Sequence, residues 1–343
     1  MRFTIAIWLL TRLLVLAVMS SAAPHGLVSA LGNWDGAWYG DVAMHGYSVS
    51  TEASHHNVAF FPLFPMIASL LVRAGVTWPL AGAVVNAAAF LAAALAVFAL
   101  VRLQFDETAA RWSAALLCLL PESLFCTVAY SEALFLLCSA VALLLYQRGA
   151  YVAAGIAAAA ASATRPLGIA LACALVLAAV VERKGARAVS ACAIAFAGIA
   201  AFAAFCYFRF GDALAFVHAQ TAWRHGAGFD WAGWLGIARG AAGGRAGDWF
   251  AIGLVALAVL CITVYRTRVG AAGSAYVAIA LLTLLAAGTP FSLDRNLYGV
   301  LPVIIAGALL FRRVPLLGYG VAIASLAVLA MDAAAFARFA WVA

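Results

Sequence analysis

Apolar stretches recur from Phe3 to Phe336 with only short, charge-bearing breaks between them, and a helix needs about 20 such residues to cross a hydrocarbon core. No polar run between them is long enough to build a soluble domain. The chain therefore reads as an all-α polytopic membrane protein, one integral-membrane domain over residues 1–343. Composition agrees: 67% of residues are hydrophobic and 10% charged, far from the balance of a soluble globular domain. The first stretch, residues 3–23, is long and carries no clear cleavage site, so it is expected to be a retained span and not a signal peptide.

Charge sets orientation. The net charge is +7, but the basic residues cluster between spans, which points to topology and not to nucleic acid. The basic breaks are residues 102–111, Arg148, Arg183 with Lys184 and Arg187, Arg266 with Arg268, and Arg312 with Arg313. Placing these in the cytoplasm turns outward residues 24–57, the turn at 130–132, the turn at 164–166, a long loop over 210–248, and residues 289–295. The scheme closes only if residues 58–74, which carry Pro62 and Pro65, are interfacial or re-entrant. That leaves about eleven spans, with the N-terminus inside and the C-terminus outside. All seven cysteines lie in apolar stretches without metal-ligand or disulfide-like spacing, and are expected to be small core residues.

The first outward loop is structured. Asn33 is a good N-cap and Gly46 a good stop for a helix over residues 34–45. On it Trp34, Trp38, Asp41 and His45 share one face, and Asp35, Tyr39 and Val42 the next. Trp and Tyr favour the headgroup region, so this helix is expected to lie in the interface. Asp35 has two readings: a first-turn acid complementing the helix dipole, or a carboxylate held at the membrane surface for chemistry.

The run Trp34-Asp35-Gly36-Ala37-Trp38-Tyr39, then Ala43-Met44-His45-Gly46-Tyr47 and Ala59-Phe60-Phe61-Pro62-Leu63-Phe64-Pro65, resembles the N-terminal signature of the PIG-V mannosyltransferases of the GT-C superfamily. Weaker matches follow at residues 129–135, 163–168 and 211–220. The resemblance implies a GT-C-like bundle, a polyprenyl- or dolichyl-phosphate sugar donor, inversion at the anomeric carbon, mannose as the sugar, and a catalytic acid at Asp35. The eukaryotic branch commonly has His-Phe where this chain has Trp38-Tyr39. With no nucleotide-binding motif in the chain, transfer would draw on the lipid-phosphate bond, in a bacterial inner membrane with the site facing the periplasm or cell exterior.

Sugar transfer needs a base for the acceptor hydroxyl, stabilisation of an oxocarbenium-like centre and neutralisation of the departing phosphate. Asp35 is the candidate base. Arg165 stands between apolar stretches with no acid nearby in sequence, and a buried arginine needs a counter-charge. A lipid phosphate would supply one; snorkelling to the headgroups is the alternative. Arg295 is a second phosphate candidate, although Asp294 beside it offers a plain ion pair. Tyr130 and Glu132 could wall the site, or Ser131 could simply cap the next span. His218 and Gln220, with Trp223, Arg224 and His225, form a polar and aromatic mixture suited to a sugar or to an ordinary interfacial helix. Trp34, Trp38, Tyr39 and His45 complete the expected wall. His45, His55 and His56 match no zinc spacing, so no metal or other cofactor is expected. The expected partners are a polyprenyl-phosphate sugar, membrane lipid, and a lipid, glycan or protein acceptor that leaves no signature in the loops. A lipid flippase or transporter is the competing class, against which no internal pseudo-repeat is visible and the polar residues gather at one membrane face and not the midplane; a non-catalytic partner subunit is another, against which Asp35 with Arg165 argues.

Overall fold

The computed structural model describes residues 1–48, 57–222, 228–288, 290 and 292–342. Its principal helices are α1 Arg2–Ala22, α2 Asp35–His45, α3 Leu63–Arg73, α4 Trp78–Gln104, α5 Glu107–Leu119, α6 Glu132–Gln147, α7 Tyr151–Ser162 and α8 Gly168–Val181. There follow α9 Ala186–Phe210, α10 Trp231–Ala242, α11 Ala246–Thr263, α12 Arg266–Ala286, α13 Leu293–Tyr298, α14 Leu301–Arg313 and α15 Pro315–Ala337. A two-residue parallel pairing of Gly228–Phe229 with Ala287–Gly288 is the strand structure among the described residues.

Six helices among the described residues are long and apolar enough to cross a membrane: α1, α4, α9, α11, α12 and α15. The eleven expected crossings are thus not all met by length. Proline and small polar residues explain part of the difference: the break at Ser162-Ala163-Thr164-Arg165-Pro166 leaves α7 and α8 at 12 and 14 residues. The segment expected to be re-entrant holds α3, 11 residues long, and so about 16 Å at 1.5 Å per residue, half a hydrocarbon core. The loop expected over 210–248 is largely helical, containing α10 and the start of α11.

Apolar residues face both ways, as helices in lipid require. Leu316 and Ile323 of α15 are 83% and 73% exposed on the outside of the bundle. Inside, Phe90, Phe135, Tyr276 and Tyr298 anchor one core, while Met19, Phe125, Tyr130 and Phe336 form a second that ties α1, the 121–130 segment and α15 together. Five cysteines are buried and two half-buried, all free.

Two buried polar residues that the sequence pattern conceals order this interior. Arg12 in α1 donates to the Ser123 and Cys118 carbonyls and to Ser123 Oγ. Asn86 in α4 donates to the Phe125 and Val128 carbonyls at 2.7 Å and accepts from the Ala133 N–H. Both fix the connection after α5, a 3-10 helix over Pro121–Cys126 and the turn that follows it, which presents Tyr130, Ser131 and Glu132.

The segments expected to face one way do converge. Trp34, Asp35, Arg165, Gln220, Ser292 and Arg295 all border one cavity. At the other end of the bundle Arg312 pairs with Asp106 at 2.6 Å, and Arg313 lies over the Tyr265 ring.

Candidate active site

The site begins with an unusual helix start. Asn33 does not cap α2; its amide donates to the Phe336 carbonyl, and Trp34 takes the cap position with φ 55° and ψ −120°. That backbone is costly for a residue with a Cβ. It turns the Trp34 ring away from the helix, onto Phe339 and Trp341, so Trp34 leaves the face it was expected to share with Trp38. Asp35 becomes the first helical residue, its N–H donating to the Tyr130 hydroxyl at 3.1 Å. The helix ends as expected at Gly46, φ 82°.

Close packing locks α2. Trp78 Nε1 donates to the Gly36 carbonyl at 2.7 Å, and a Cβ on Gly40 would sit 2.5 Å from the Trp78 ring, which explains glycine there. Tyr39, on the buried face, shares a 2.6 Å hydrogen bond with Ser131 Oγ. Ser131 therefore occupies the cap position of α6 without capping it. Burial pushes the Tyr39 phenol up to about 12.

Four charged side chains form the centre. Glu132, 2% exposed at the N-terminus of α6, accepts from Arg165 and from Arg295 Nε. Arg295 reaches Asp35 through Nη1, 2.7 Å from Oδ2, and stacks over Phe125 and Tyr130 at 4.7 Å. Arg165 also donates to Asn296 Oδ1 at 3.2 Å. Two guanidiniums and two carboxylates balance, which is what allows Glu132 and Arg295 to be buried. Glu132 is thus a resident counter-charge of Arg165, 33 residues away in the chain. The ion pair expected between Arg295 and Asp294 is replaced by those with Asp35 and Glu132; Asp294 Oδ1 accepts from the Arg295 backbone N–H.

This network opens on a cavity of about 690 Å³, into which Asp35, Arg165 and Arg295 project. Backbone strain gathers here. Of the four described non-glycine residues with positive φ, Trp34, Ser292 and Phe339 line the cavity. Strained residues of this kind persist where surrounding structure over-determines them, often at functional sites.

Of the expected wall, Trp34, Trp38, Tyr39 and Gln220 border the cavity, while Tyr130 and Glu132 stand behind it as buried supports. His45 and His218 do not join: His45 pairs with Asp41 at 2.9 Å and borders the adjoining cleft, and His218 pairs with Asp212 at 2.7 Å. His55, His56, Trp223, Arg224 and His225 lie outside the described residues. No group of three or more His, Cys, Asp or Glu among the described residues could hold a metal ion. The adjoining cleft, about 730 Å³, is bordered by Pro62, Pro65, Met66, Phe202 and Phe205.

A sequence model of the family described as "Mannosyltransferase (PIG-V)" matches residues 10–234, more than half of the chain. The chain belongs to the PIG-V family. The matched region holds Asp35, Glu132, Arg165 and Gln220; Arg295, Phe339 and Trp341 lie beyond it. A PIG-V relative, human GPI alpha-1,6-mannosyltransferase 2, is 36% identical over 137 residues, covering 36% of this chain and 26% of its own length. Among solved structures, the Archaeoglobus fulgidus oligosaccharyltransferase in its apo form is similar in fold at a TM-score of 0.58 and 14% identity, over 98% of this chain and 56% of that one. The same enzyme, AglB, in complex with an inhibitory peptide and a dolichol-phosphate, gives 0.58 at 13% identity, with the same coverage. This PIG-V family chain is therefore a multi-pass integral membrane protein with a GT-C-like fold, spanning about half the length of those structures.

Proposed function

We propose that the chain is an inverting glycosyltransferase that moves mannose from a polyprenyl-phosphate donor to an acceptor hydroxyl on the outer face of the membrane. The observation that carries this reading is the Asp35–Arg295–Glu132–Arg165 network, which sets a carboxylate and two guanidiniums on one cavity. In the reaction the acceptor oxygen attacks the anomeric carbon and the bond from that carbon to the phosphate oxygen breaks. Asp35 takes the acceptor proton as the new bond forms, and Arg165 and Arg295 neutralise the polyprenyl phosphate that departs. The ion pair with Arg295 fixes the orientation of the Asp35 carboxylate on the cavity wall.

The adjoining apolar cleft offers the polyprenyl chain a place beside the charged centre. The dolichol-phosphate bound by AglB supports a lipid-phosphate donor in general terms. For topology, eleven units fit as crossings: α1, α4 to α9, α11, α12, α14 and α15, with α3 re-entrant. That count leaves every cavity-lining segment on one side and the Asp106–Arg312 pair on the other.

The test incubates purified protein in nanodiscs with a panel of polyprenyl-phosphate sugars and membrane-extracted acceptors, following release of free polyprenyl phosphate. Consumption of the mannose donor, lost in Asp35→Asn, is expected. A wild-type protein that moves the lipid across vesicles but never cleaves it would overturn the assignment in favour of a flippase.

A further inference from the structure

Two exposed aromatic residues at the end of α15 belong to the cavity. Phe339 and Trp341 are 58% and 40% exposed, yet both line it, and both pack on Trp34. Phe339 stacks on the Trp34 ring at 4.6 Å and 19°, and Trp341 meets it edge-on at 5.2 Å and 81°.

The backbone makes this contact expensive. Phe339 closes α15 with φ 64°, its N–H donating to the Phe336 carbonyl and the Ala340 N–H to the Ala335 carbonyl. That left-handed position after a helix normally takes glycine. Trp34 also has positive φ, so two disfavoured backbones meet through their rings immediately beside Asp35. A structural brace between α2 and α15 already exists in the Asn33 bond to Phe336. Strain at this pair asks for a further reason.

Position within the cavity supplies one. Arg165, given the phosphate in the proposed reaction, follows Ala163, whose carbonyl accepts from the Leu63 N–H and which with Leu63 borders the adjoining apolar cleft, so the donor is assigned to that side. Arg295 and Glu132 come next, then Asp35, then Trp34 with Phe339 and Trp341. Inverting displacement puts the incoming hydroxyl opposite the leaving phosphate, and the base beside that hydroxyl. The aromatic trio is therefore on the acceptor side.

We propose that Phe339 and Trp341, set around Trp34, form an acceptor subsite that receives the apolar C–H face of a pyranose. This rests on the glycosyl-transfer reading for the ligand's class. Flat aromatic rings suit that face, because its C–H groups meet the electron-rich π surface while ring hydroxyls stay at the edge.

Full-length protein in nanodiscs is tested with methyl α-D-mannopyranoside, using saturation-transfer NMR from aromatic protons, with sorbitol as an open-chain control. Phe339→Gly is the key variant, because glycine adopts φ 64° freely and keeps the fold. Transfer to the pyranoside should fall about fivefold in Phe339→Gly and in Trp341→Ala, recover in Trp341→Tyr, and be absent for sorbitol. With a polyprenyl-phosphate mannose donor, the KM for the pyranoside should rise by about the same factor and the donor KM should hold. Unchanged transfer and acceptor KM in both variants, an equal signal from sorbitol, or a rise confined to the donor KM would each overturn the subsite. If the wild type binds the pyranoside through these rings but consumes no donor, glycosyl transfer fails and the subsite stands.

Discussion

Arg295 holds Asp35 at 2.7 Å with one nitrogen while another is bonded to buried Glu132. One side chain thus joins the candidate base to the carboxylate that orders the arginines. Arg295 is 7% exposed and Asp35 24%, so the acid end of the link is the one that meets the cavity. Removing different members of this chain should therefore have different effects.

Asp35→Asn keeps the shape of the side chain and leaves Arg295 its Glu132 partner. Transfer should fall below about a tenth of wild type, with thermal stability nearly unchanged. Asp41→Asn loses only the exposed contact to His45 and weakens that to Asn57, so its activity should stay close to wild type. Steady-state rates at matched expression check both.

Arg165 presents a planar fork that matches phosphate, where lysine offers a point charge. Arg165→Lys should weaken donor binding, and Arg165→Ala should weaken it further, by roughly 2–5 kcal/mol for a desolvated charge pair. Titration of polyprenyl phosphate onto folded protein measures this. Equal affinity in all three proteins would remove Arg165 from the phosphate site.

Glu132→Gln leaves buried Arg295 and half-buried Arg165 facing one another without their shared carboxylate. Breaking a buried pair costs about 3–5 kcal/mol, so the variant should unfold at a markedly lower temperature and lose activity. Glu132→Asp, which keeps the charge but shortens the reach, should recover part of the melting temperature and less of the rate.

The Tyr39 phenol is held neutral by burial, with a folded value of about 12 against an ordinary 10.0. Because the folded value is the higher, the associated stability is fully present below pH 10 and is lost as pH rises through 12. It amounts to about 3 kcal/mol at 1.36 kcal/mol per unit. Tyr39→Phe should melt somewhat lower at pH 7, having lost the Ser131 bond, and should show a shallower decline than wild type between pH 10 and 12. Melting curves across that range test it; parallel declines would refute it.

Gly40→Ala should disturb the site from a distance. Its Cβ would press into the Trp78 ring, which also bonds the carbonyl of Gly36, the residue next to Asp35. Overpacking of this sort costs about 1–3 kcal/mol. A lower melting temperature with reduced turnover is expected, and Gly40→Ala with Trp78→Phe should regain part of the packing loss.

Local chemistry made several features legible in the sequence. Apolar runs of spanning length dictate a helical membrane protein, since lipid gives the backbone no other partner. Gly46 ends α2 because its left-handed φ suits glycine. Asp35 stood out because a carboxylate among aromatics after the first span is unusual within its own neighbourhood. The packing partners were not visible in the same way. Arg165 had no acid near it in sequence, yet Glu132 stands 33 residues away; Asp35 and Arg295 are 260 apart. Phe339 lies just past the last apolar stretch, and Asn86 and Arg12 sit singly inside apolar stretches, so no local pattern marks any of the three. Periodicity, capping and turn preference are set by residues a few positions apart. Which charge neutralises which, and which rings close the cavity, depends on how whole helices pack, because a buried charge takes whatever partner the assembled bundle brings within reach.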